Sequence, residues 1–289
     1  FILREEGADP ETGNMGQRLD GRDLTQEWLS EHDNSQYVWN KEQFDAIDVD
    51  STDHLLGLFQ PSHMNYNFDL KSDQAGEPSL TEMTTKAIEL LSKNEKGFYL
   101  NVEAGRIDHA HHATNPQRAL VDTVEFAAAV KAAVEMVDLS ETLIIVTADH
   151  SHVFTIAGYP ARGNPILGKV VGLDASGATN TDPALAADGL PYTTLGYANG
   201  HGQYSLPDAQ TADAIYREEI NAGRVDLSDI DTTDQGFHSE TLVPLSDETH
   251  AGEDVAIYAI GPGSDLVRGV MEQHLIYHVM MEASQLTER

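Results

Sequence analysis

The run Thr142–Thr147, with the sequence Thr-Leu-Ile-Ile-Val-Thr, decides the fold, and Asp149 and His150 follow it closely. A continuous β-branched run of this length predicts a strand that is buried on both faces, as in parallel sheets. A second run, Gly97–Val102, predicts another strand, which ends at Glu103. Ligands bind beyond the carboxyl ends of such strands. The sequence therefore predicts one edge of the sheet that carries these polar residues.

Helical patterns alternate with the predicted strands. Ser79 and Glu82 form a capping-box pattern before an amphipathic helix. Asn115 is followed by Pro, which predicts the first turn of another helix. Asp254–Ile260 predicts a further strand, and Met271–Ala283 predicts a last helix. This alternation favours an α/β fold with a mostly parallel central sheet and helices on both faces.

Composition changes between residues 165 and 245, where Gly, Ala, Asp, Thr and Pro dominate and periodicity is weak. A disordered linker is one interpretation of this segment. Scattered aromatic residues, among them Tyr192 and Tyr197, favour an ordered insertion instead. We therefore expect residues 1–164 and 246–289 to form one α/β domain that is interrupted by an insertion over residues 165–245.

The chain is strongly acidic. Its 289 residues include 48 acidic and 17 basic ones, so the formal net charge is −31. This charge argues against binding to nucleic acid or to anionic lipid, because the long-range field repels phosphate. The acidic residues are spread along the whole chain and predict a solvated acidic surface, which also fits a salt-adapted, halophilic protein.

Other features of the composition limit the classes of protein further. The chain has no Cys, so His, Asp and Glu remain as metal ligands, and periplasm, medium and cytosol all stay open. The chain contains no run of eighteen apolar residues, so its sequence predicts no membrane-spanning helix. The first residues have neither an initiator Met nor the basic start of a signal peptide. We expect the chain to begin within a longer protein.

Carboxylates and histidines gather in three short segments. These segments are Val102–His112, Thr147–His152 and Asp247–Asp254. Imidazole and carboxylate together suit Zn²⁺, and carboxylate oxygen suits Mg²⁺. Three such segments indicate a multi-metal site, which is a common device for displacement at phosphorus.

Spacing selects candidates within these segments. Asp108 and His112 are four residues apart, so a helical turn would place both on one face. Asp149 and His150 are adjacent, and a bend at the end of a strand would turn both toward one ion. His250 lies among acidic residues in the third segment.

Other residues of these segments are weaker candidates. His109 and His111 cannot both face the point that Asp108 and His112 face, and His152 is expected to support the ligands rather than bind metal. Ser151 is a poor candidate for a nucleophile, because no Gly-x-Ser-x-Gly elbow surrounds it. Neither a P-loop nor a dinucleotide-binding glycine pattern is present.

The chain resembles the alkaline phosphatase family, and specifically its animal-like branch. The resemblance follows the family's order of motifs along almost the whole chain and is weakest between about residues 170 and 240. The motifs that carry it are Arg18–Arg22 (Arg-Leu-Asp-Gly-Arg), Gln26–Leu29 (Gln-Glu-Trp-Leu), Tyr37–Asn40, Gly57–Phe59, Val102–His112, Val146–Phe154 and Thr249–Val255.

The resemblance implies roles for individual residues. Glu103 looks like the magnesium ligand. The first zinc would be bound by Asp108, His112 and His250, and the second by Asp149 and His150. Residues 165–245 would form the family's crown, which contributes to a homodimer interface. Animal-type members also bind calcium; Phe59 and Glu77 fall near the matching positions, but Gln60 replaces an expected acid.

The resemblance also implies an activity. It predicts phosphomonoester hydrolysis with two zinc ions and one magnesium ion through a phosphoseryl intermediate, in a periplasmic or secreted enzyme. The family's nucleophilic Ser lies in an N-terminal half that this sequence lacks, so we expect that half to be a partner. Two alternatives stay open: a related metal-dependent sulfatase or phosphodiesterase, and a non-catalytic metal-binding module.

Overall fold

The computed structural model describes residues 15–16, 18–205 and 223–285. The chain divides into two compact units. Of the described residues, the first comprises 15–16, 18–106 and 121–129, and the second comprises 107–120, 130–205 and 223–285. The boundary at Arg106 falls inside the Val102–His112 motif. Glu103 therefore belongs to the first unit, and Asp108 and His112 belong to the second.

A parallel pair of short strands lies in the core of the first unit. The unit contains α1 (Leu24–Glu31), β1 (Ser35–Val38), α2 (Lys41–Asp45), β2 (His54–Gly57), a 3-10 turn (Leu70–Ser72) and α3 (Leu80–Leu91). β1 pairs with β2 in parallel. Val38, at the end of β1, packs in the buried core with Phe44, Ile47 and Phe59. Leu55 of β2 packs against this core, so the contacts join α2 to both strands.

Polar side chains begin the helices of this unit. The Asp23 carboxylate accepts hydrogen bonds from the first backbone N–H groups of α1, and the Asn40 side chain accepts one from Gln43 N. Ser79 and Glu82 form both bonds of a capping box at the start of α3. The predicted capping box is therefore confirmed, because its signal lies entirely in local sequence.

Two further helices follow Glu103, and these are α4 (Arg106–His112) and α5 (Pro116–Met136). Thr114, between them, has a left-handed φ of 54° and is fully buried. The Asn115 side chain then accepts a hydrogen bond from Arg118 N at 3.0 Å, with Pro at the first helical position. The structure thus confirms the predicted start of α5.

Short strands dominate the second unit. They are β3 (Ile144–Thr147), β4 (Ser151–His152), β5 (Phe154–Ile156), β6 (Leu195–Gly200), β7 (Tyr204–Ser205), β8 (Phe237–His238), β9 (Thr241–Pro244), β10 (His250–Ala251) and β11 (Ile257–Ile260). A 3-10 turn (Ser264–Leu266) and α6 (Leu275–Ser284) follow. The pairs β3–β11, β4–β10 and β7–β8 are antiparallel, and β6 lies between antiparallel β5 and parallel β9.

The sheets differ from the prediction in direction and burial. They are small and mixed, so the mostly parallel arrangement is not confirmed. β3 pairs with antiparallel β11 and its residues are half-buried, whereas the sequence predicted a strand buried on both faces. More than a hundred residues separate these two strands, so no single crossover helix fixes their relative direction.

The predicted strand over Gly97–Val102 was wrong, because these residues adopt no regular secondary structure in the part of the chain that is described. The Tyr99 residue is 73% exposed. An apolar run indicates a preference for burial, but a strand also requires a neighbour that completes its hydrogen bonds. The sequence of the run contains no information about that neighbour.

Within the described ranges, no helix combines the length and apolar character that crossing a membrane requires.

Candidate metal centre

α4 and the β4–β10 pair bring the histidines of all three motifs together. α4 places Asp108 and His112 one turn apart, and their Oδ1 and Nε2 atoms lie 3.4 Å from each other. In the β4–β10 ladder, His152 lies directly opposite His250. The predicted helical turn is confirmed, and a two-residue ladder aligns the second and third motifs.

Asp108 Oδ1 lies at the centre of the cluster. Four imidazole Nε2 atoms surround it, those of His152 at 2.9 Å, His250 at 3.3 Å, His112 at 3.4 Å and His150 at 3.8 Å. Asp108 Oδ1 and His152 Nε2 are both buried, and neither has an aligned hydrogen-bond partner in the described structure. Buried polar atoms without such partners are costly unless an ion satisfies them.

Three of these atoms match the geometry of a zinc site. The Nε2 atoms of His112 and His250 are 3.1 Å apart, and each lies 3.3–3.4 Å from Asp108 Oδ1. Ligands about 2.0 Å from a tetrahedral zinc ion lie about 3.3 Å from one another. The triangle of Asp108, His112 and His250 therefore has the dimensions of one face of a zinc tetrahedron, and the donor set suits that ion.

Asp108 and the neighbouring histidines shift one another's pKa values, because each stabilises the charged form of the other. Burial would raise the pKa of Asp108, but the adjacent His112 and His152 outweigh burial and hold that pKa below its usual range. Burial lowers the pKa of His152, whereas Asp108 and Glu248 raise it to about 9 overall. Asp108 likewise raises the pKa of His112. A metal ion would take the place of these protons, so metal binding should release protons.

Asp149 and His150 lie at the edge of the cluster. His150 stacks on His250 with ring centroids 3.5 Å apart, and its Nε2 lies 3.3 Å from Asp149 Oδ2. The Asp149 side chain is 81% exposed, so it borders the cluster from the solvent side. Glu103 is exposed and belongs to the first unit, where its carboxylate lies beside Gly105. Its assignment to magnesium stays a prediction.

His111 supports the cluster from behind. Burial, with a contribution from His152, lowers the pKa of His111 to about 4, so this imidazole is neutral at physiological pH. Its Nδ1 lies 2.9 Å from the hydroxyl of Tyr197 on β6, which can donate to it. His111 also packs against Phe154 and His152. It joins α4 to the sheet of the second unit.

Glu248 contacts this cluster, although no pattern in the sequence singled it out. Its side chain is completely buried, and its Oε2 accepts a hydrogen bond from His152 Nδ1 at 2.7 Å. The sequence shows several acidic residues around His250, and no local pattern distinguishes the buried one. The β4–β10 pairing, which spans about a hundred residues, is what places Glu248 behind His152.

Comparison with known proteins shows strong similarity to alkaline phosphatases. The family model for alkaline phosphatase matches residues 1–286. The tissue-nonspecific alkaline phosphatase of Rattus norvegicus is 42% identical over 272 residues, which are 93% of this chain and 47% of the rat protein. The alkaline phosphatase of Gadus morhua is 40% identical over 273 residues, or 94% of this chain and 52% of that protein. The chain spans about half the length of these curated relatives.

A solved structure supports the fold. A mutant alkaline phosphatase from the Antarctic bacterium TAB5, with Mg bound in its M3 site, matches with a TM-score of 0.53 at 20% identity. The match covers 93% of this chain and 57% of that one. The α/β fold is thus that of the alkaline phosphatases, with small, mixed sheets where the sequence predicted a mostly parallel one. The chain belongs to the alkaline phosphatase family.

Proposed function

We propose that this chain is the metal-binding part of an alkaline phosphatase that hydrolyses phosphomonoesters. The observation that carries the proposal is the triangle of Asp108, His112 and His250, whose dimensions and donor types suit zinc. Family membership supplies the reaction class. Membership of this family favours a phosphomonoesterase over the alternative of a related sulfatase or phosphodiesterase.

Each remaining candidate has a proposed place in this scheme. Asp149 and His150 would bind a second zinc ion, and Glu103 would bind magnesium. When bound, these ions supply Lewis-acid charge for displacement at phosphorus. Asp108 supplies a central anionic oxygen, and the imidazoles supply neutral Nε2 donors. Family membership assigns the nucleophile to a Ser outside this chain, which would form the phosphoseryl intermediate, and the Ser151 hydroxyl donates to Glu253 at 2.9 Å.

The complete protein would contain more than this chain. We propose that an N-terminal half supplies the nucleophile, that the enzyme is a homodimer, and that it is periplasmic or secreted. The coverage of about half of each relative supports the first point. The formal net charge of −31 supports a salt-adapted enzyme with an acidic surface.

The decisive experiment is hydrolysis of p-nitrophenyl phosphate at alkaline pH by the complete protein, with zinc and magnesium present. We expect turnover that a chelator abolishes and that zinc with magnesium restores. Stoichiometric zinc binding without turnover in the complete protein would instead support the non-catalytic metal-binding module. Hydrolysis of a sulfate ester or a phosphodiester in preference would support the other alternative.

A single variant tests the zinc triangle. His250→Ala should remove one zinc ion per chain and lower turnover by more than the roughly 10- to 100-fold typical of outer partners. His278→Ala, at an exposed position of α6, is the matched control and should leave both quantities unchanged. Unchanged zinc content and rate in His250→Ala would refute its role as a ligand.

A further inference from the structure

Glu248 is a buried acid that lies between two histidines of the cluster. Its side chain is 0% exposed, and both carboxylate oxygens are used. Oε1 accepts a hydrogen bond from the backbone N–H of Val153 at 2.7 Å, and Oε2 accepts one from His152 Nδ1 at 2.7 Å. A buried carboxylate is costly unless such partners compensate it, so its position is well defined.

The backbone of Glu248 contacts the second histidine. Its N–H donates to His112 O at 3.1 Å, and its carbonyl oxygen accepts from His112 Nδ1 at 2.6 Å. A carbonyl oxygen and a carboxylate are both acceptors. Glu248 therefore requires a proton on Nδ1 of both His112 and His152, and both Nε2 atoms face Asp108 Oδ1, at 3.4 and 2.9 Å.

We propose that Glu248 is a positioning residue for the metal centre, fixing the ring orientation of His112 and His152 through the hydrogen bonds that their Nδ1 atoms make to it. This inference rests on the proposed function, because it concerns the same cluster. An outer carboxylate that receives the second N–H of a metal-facing imidazole increases the basicity of the ring and restricts its rotation. Here one residue acts on two imidazoles, through its side chain and through its backbone.

Glu248→Gln isolates the side-chain part of this role. The backbone bond to His112 does not depend on the side chain, so it should persist. The amide has one acceptor oxygen, and Val153 N–H needs an acceptor. The amide NH₂ would then face His152 Nδ1, which could no longer donate, so the bond that holds the His152 ring beside Asp108 Oδ1 would be lost.

The first experiment measures zinc affinity by chelator competition in the metal-free, complete protein. We expect Glu248→Gln to weaken the affinity for zinc by about 10- to 100-fold. Glu253→Gln removes a nearby exposed carboxylate that bonds Ser151 instead of a histidine, and it should leave the affinity unchanged. Equal affinities in the wild-type and Glu248→Gln proteins would overturn the inference.

A thermodynamic cycle tests whether the effect passes through His152. In a His152→Ala background, Glu248→Gln should cause no further loss of zinc affinity, because its side-chain target is gone. A further loss as large as that in the wild-type background would overturn the positioning role. The cycle uses affinity alone, so it does not depend on turnover.

A last measurement needs no folded Glu248 variant. Histidine ¹⁵N spectra of the wild-type protein, recorded at about pH 10 with and without zinc, should show a proton on Nδ1 of His112 and His152. An unprotonated Nδ1 of His152 in the metal-free protein would overturn the inference. If the wild-type protein binds no zinc, the proposed function fails, and the metal-free spectrum still tests the role of Glu248.

Discussion

Asp122, on α5, is a carboxyl group whose surroundings favour its neutral form. Its Oδ1 accepts a hydrogen bond from Asn67 N at 3.3 Å, and its buried Oδ2 has no hydrogen-bond partner in the described part of the chain. Burial raises its pKa from 3.8 to about 6, although Asn67 and Arg106 act in the opposite direction. The folded protein should therefore bind more protons than the unfolded chain between these two pH values.

This shift predicts how one substitution alters stability. A folded-state pKa above the unfolded one makes stability fall as pH rises from about 4 to about 6. Asp122→Asn should raise the free energy of unfolding at pH 8 by up to about 3 kcal/mol and change it little at pH 4. Urea unfolding at both pH values tests this, with the exposed Glu135→Gln on the same helix as control. A less stable Asp122→Asn protein at pH 8 would contradict the prediction.

Glu103 allows a second test at the scale of one residue. If it binds magnesium, Glu103→Gln should weaken the stimulation of phosphatase activity by magnesium and leave zinc content near that of the wild type. The neutral amide oxygen is a poorer ligand for Mg²⁺ than a carboxylate. Titration of magnesium against the hydrolysis rate measures the effect, and Glu95→Gln, also exposed, is the control. An unaltered magnesium response would remove Glu103 from the site.

Residue spacing predicted part of the cluster and missed the rest for a physical reason. Asp108 and His112 are joined by one helical turn, so their separation in sequence fixes their separation in space. Glu248 and His152 meet through strand pairing across about a hundred residues. Their contact depends on tertiary structure, and local sequence therefore could not reveal which acid near His250 is buried.

Helix starts were the most predictable elements, since a cap is a contact between residues two or three apart. The capping box of α3 and the Asn cap of α5 both follow from such contacts. Strand pairing was less predictable. β11 was placed correctly as a strand, but its antiparallel pairing with β3 depends on a long connection rather than on either sequence.

The turn after β11 gives a test at the scale of the element. Gly261 has φ of +104°, and a Cβ atom there would lie 2.0 Å from the carbonyl oxygen of Thr142, just before β3. Gly261→Ala combines this clash with left-handed strain, so we expect a loss of about 3 kcal/mol or more in unfolding free energy. The turn therefore has no space for a side chain where β11 approaches the start of β3.

Gly177→Ala is the matched control for this turn. Gly177 has φ of +84° and nothing lies within 4 Å of the position of its Cβ. Strain alone should lower stability there by about 1–2 kcal/mol. Equal losses in the two variants, measured by denaturant unfolding, would show that the approach of the turn to Thr142 contributes nothing.

At the scale of the whole molecule, charge is the property that composition determines directly. The formal net charge of −31 generates self-repulsion that opposes compaction at low ionic strength. Composition does not show which residues form ion pairs. It does show that the long-range interaction between the charges of this chain is repulsive. Metal cations bound at the cluster would offset part of this negative charge, but only locally.

Salt should therefore stabilise the protein at neutral and alkaline pH. The Debye screening length falls from about 10 Å at 0.1 M salt to about 3 Å at 1 M. At the higher concentration most of the repulsion between surface carboxylates is therefore removed. We expect the melting temperature at pH 8 to rise with NaCl over this range, by roughly 2–4 °C for each kcal/mol gained. The same titration near pH 4.5, the isoelectric point of the sequence, is the control. There the net charge is close to zero and the dependence on salt should disappear. A melting temperature at pH 8 that falls as NaCl increases would show that self-repulsion does not limit the stability of this fold.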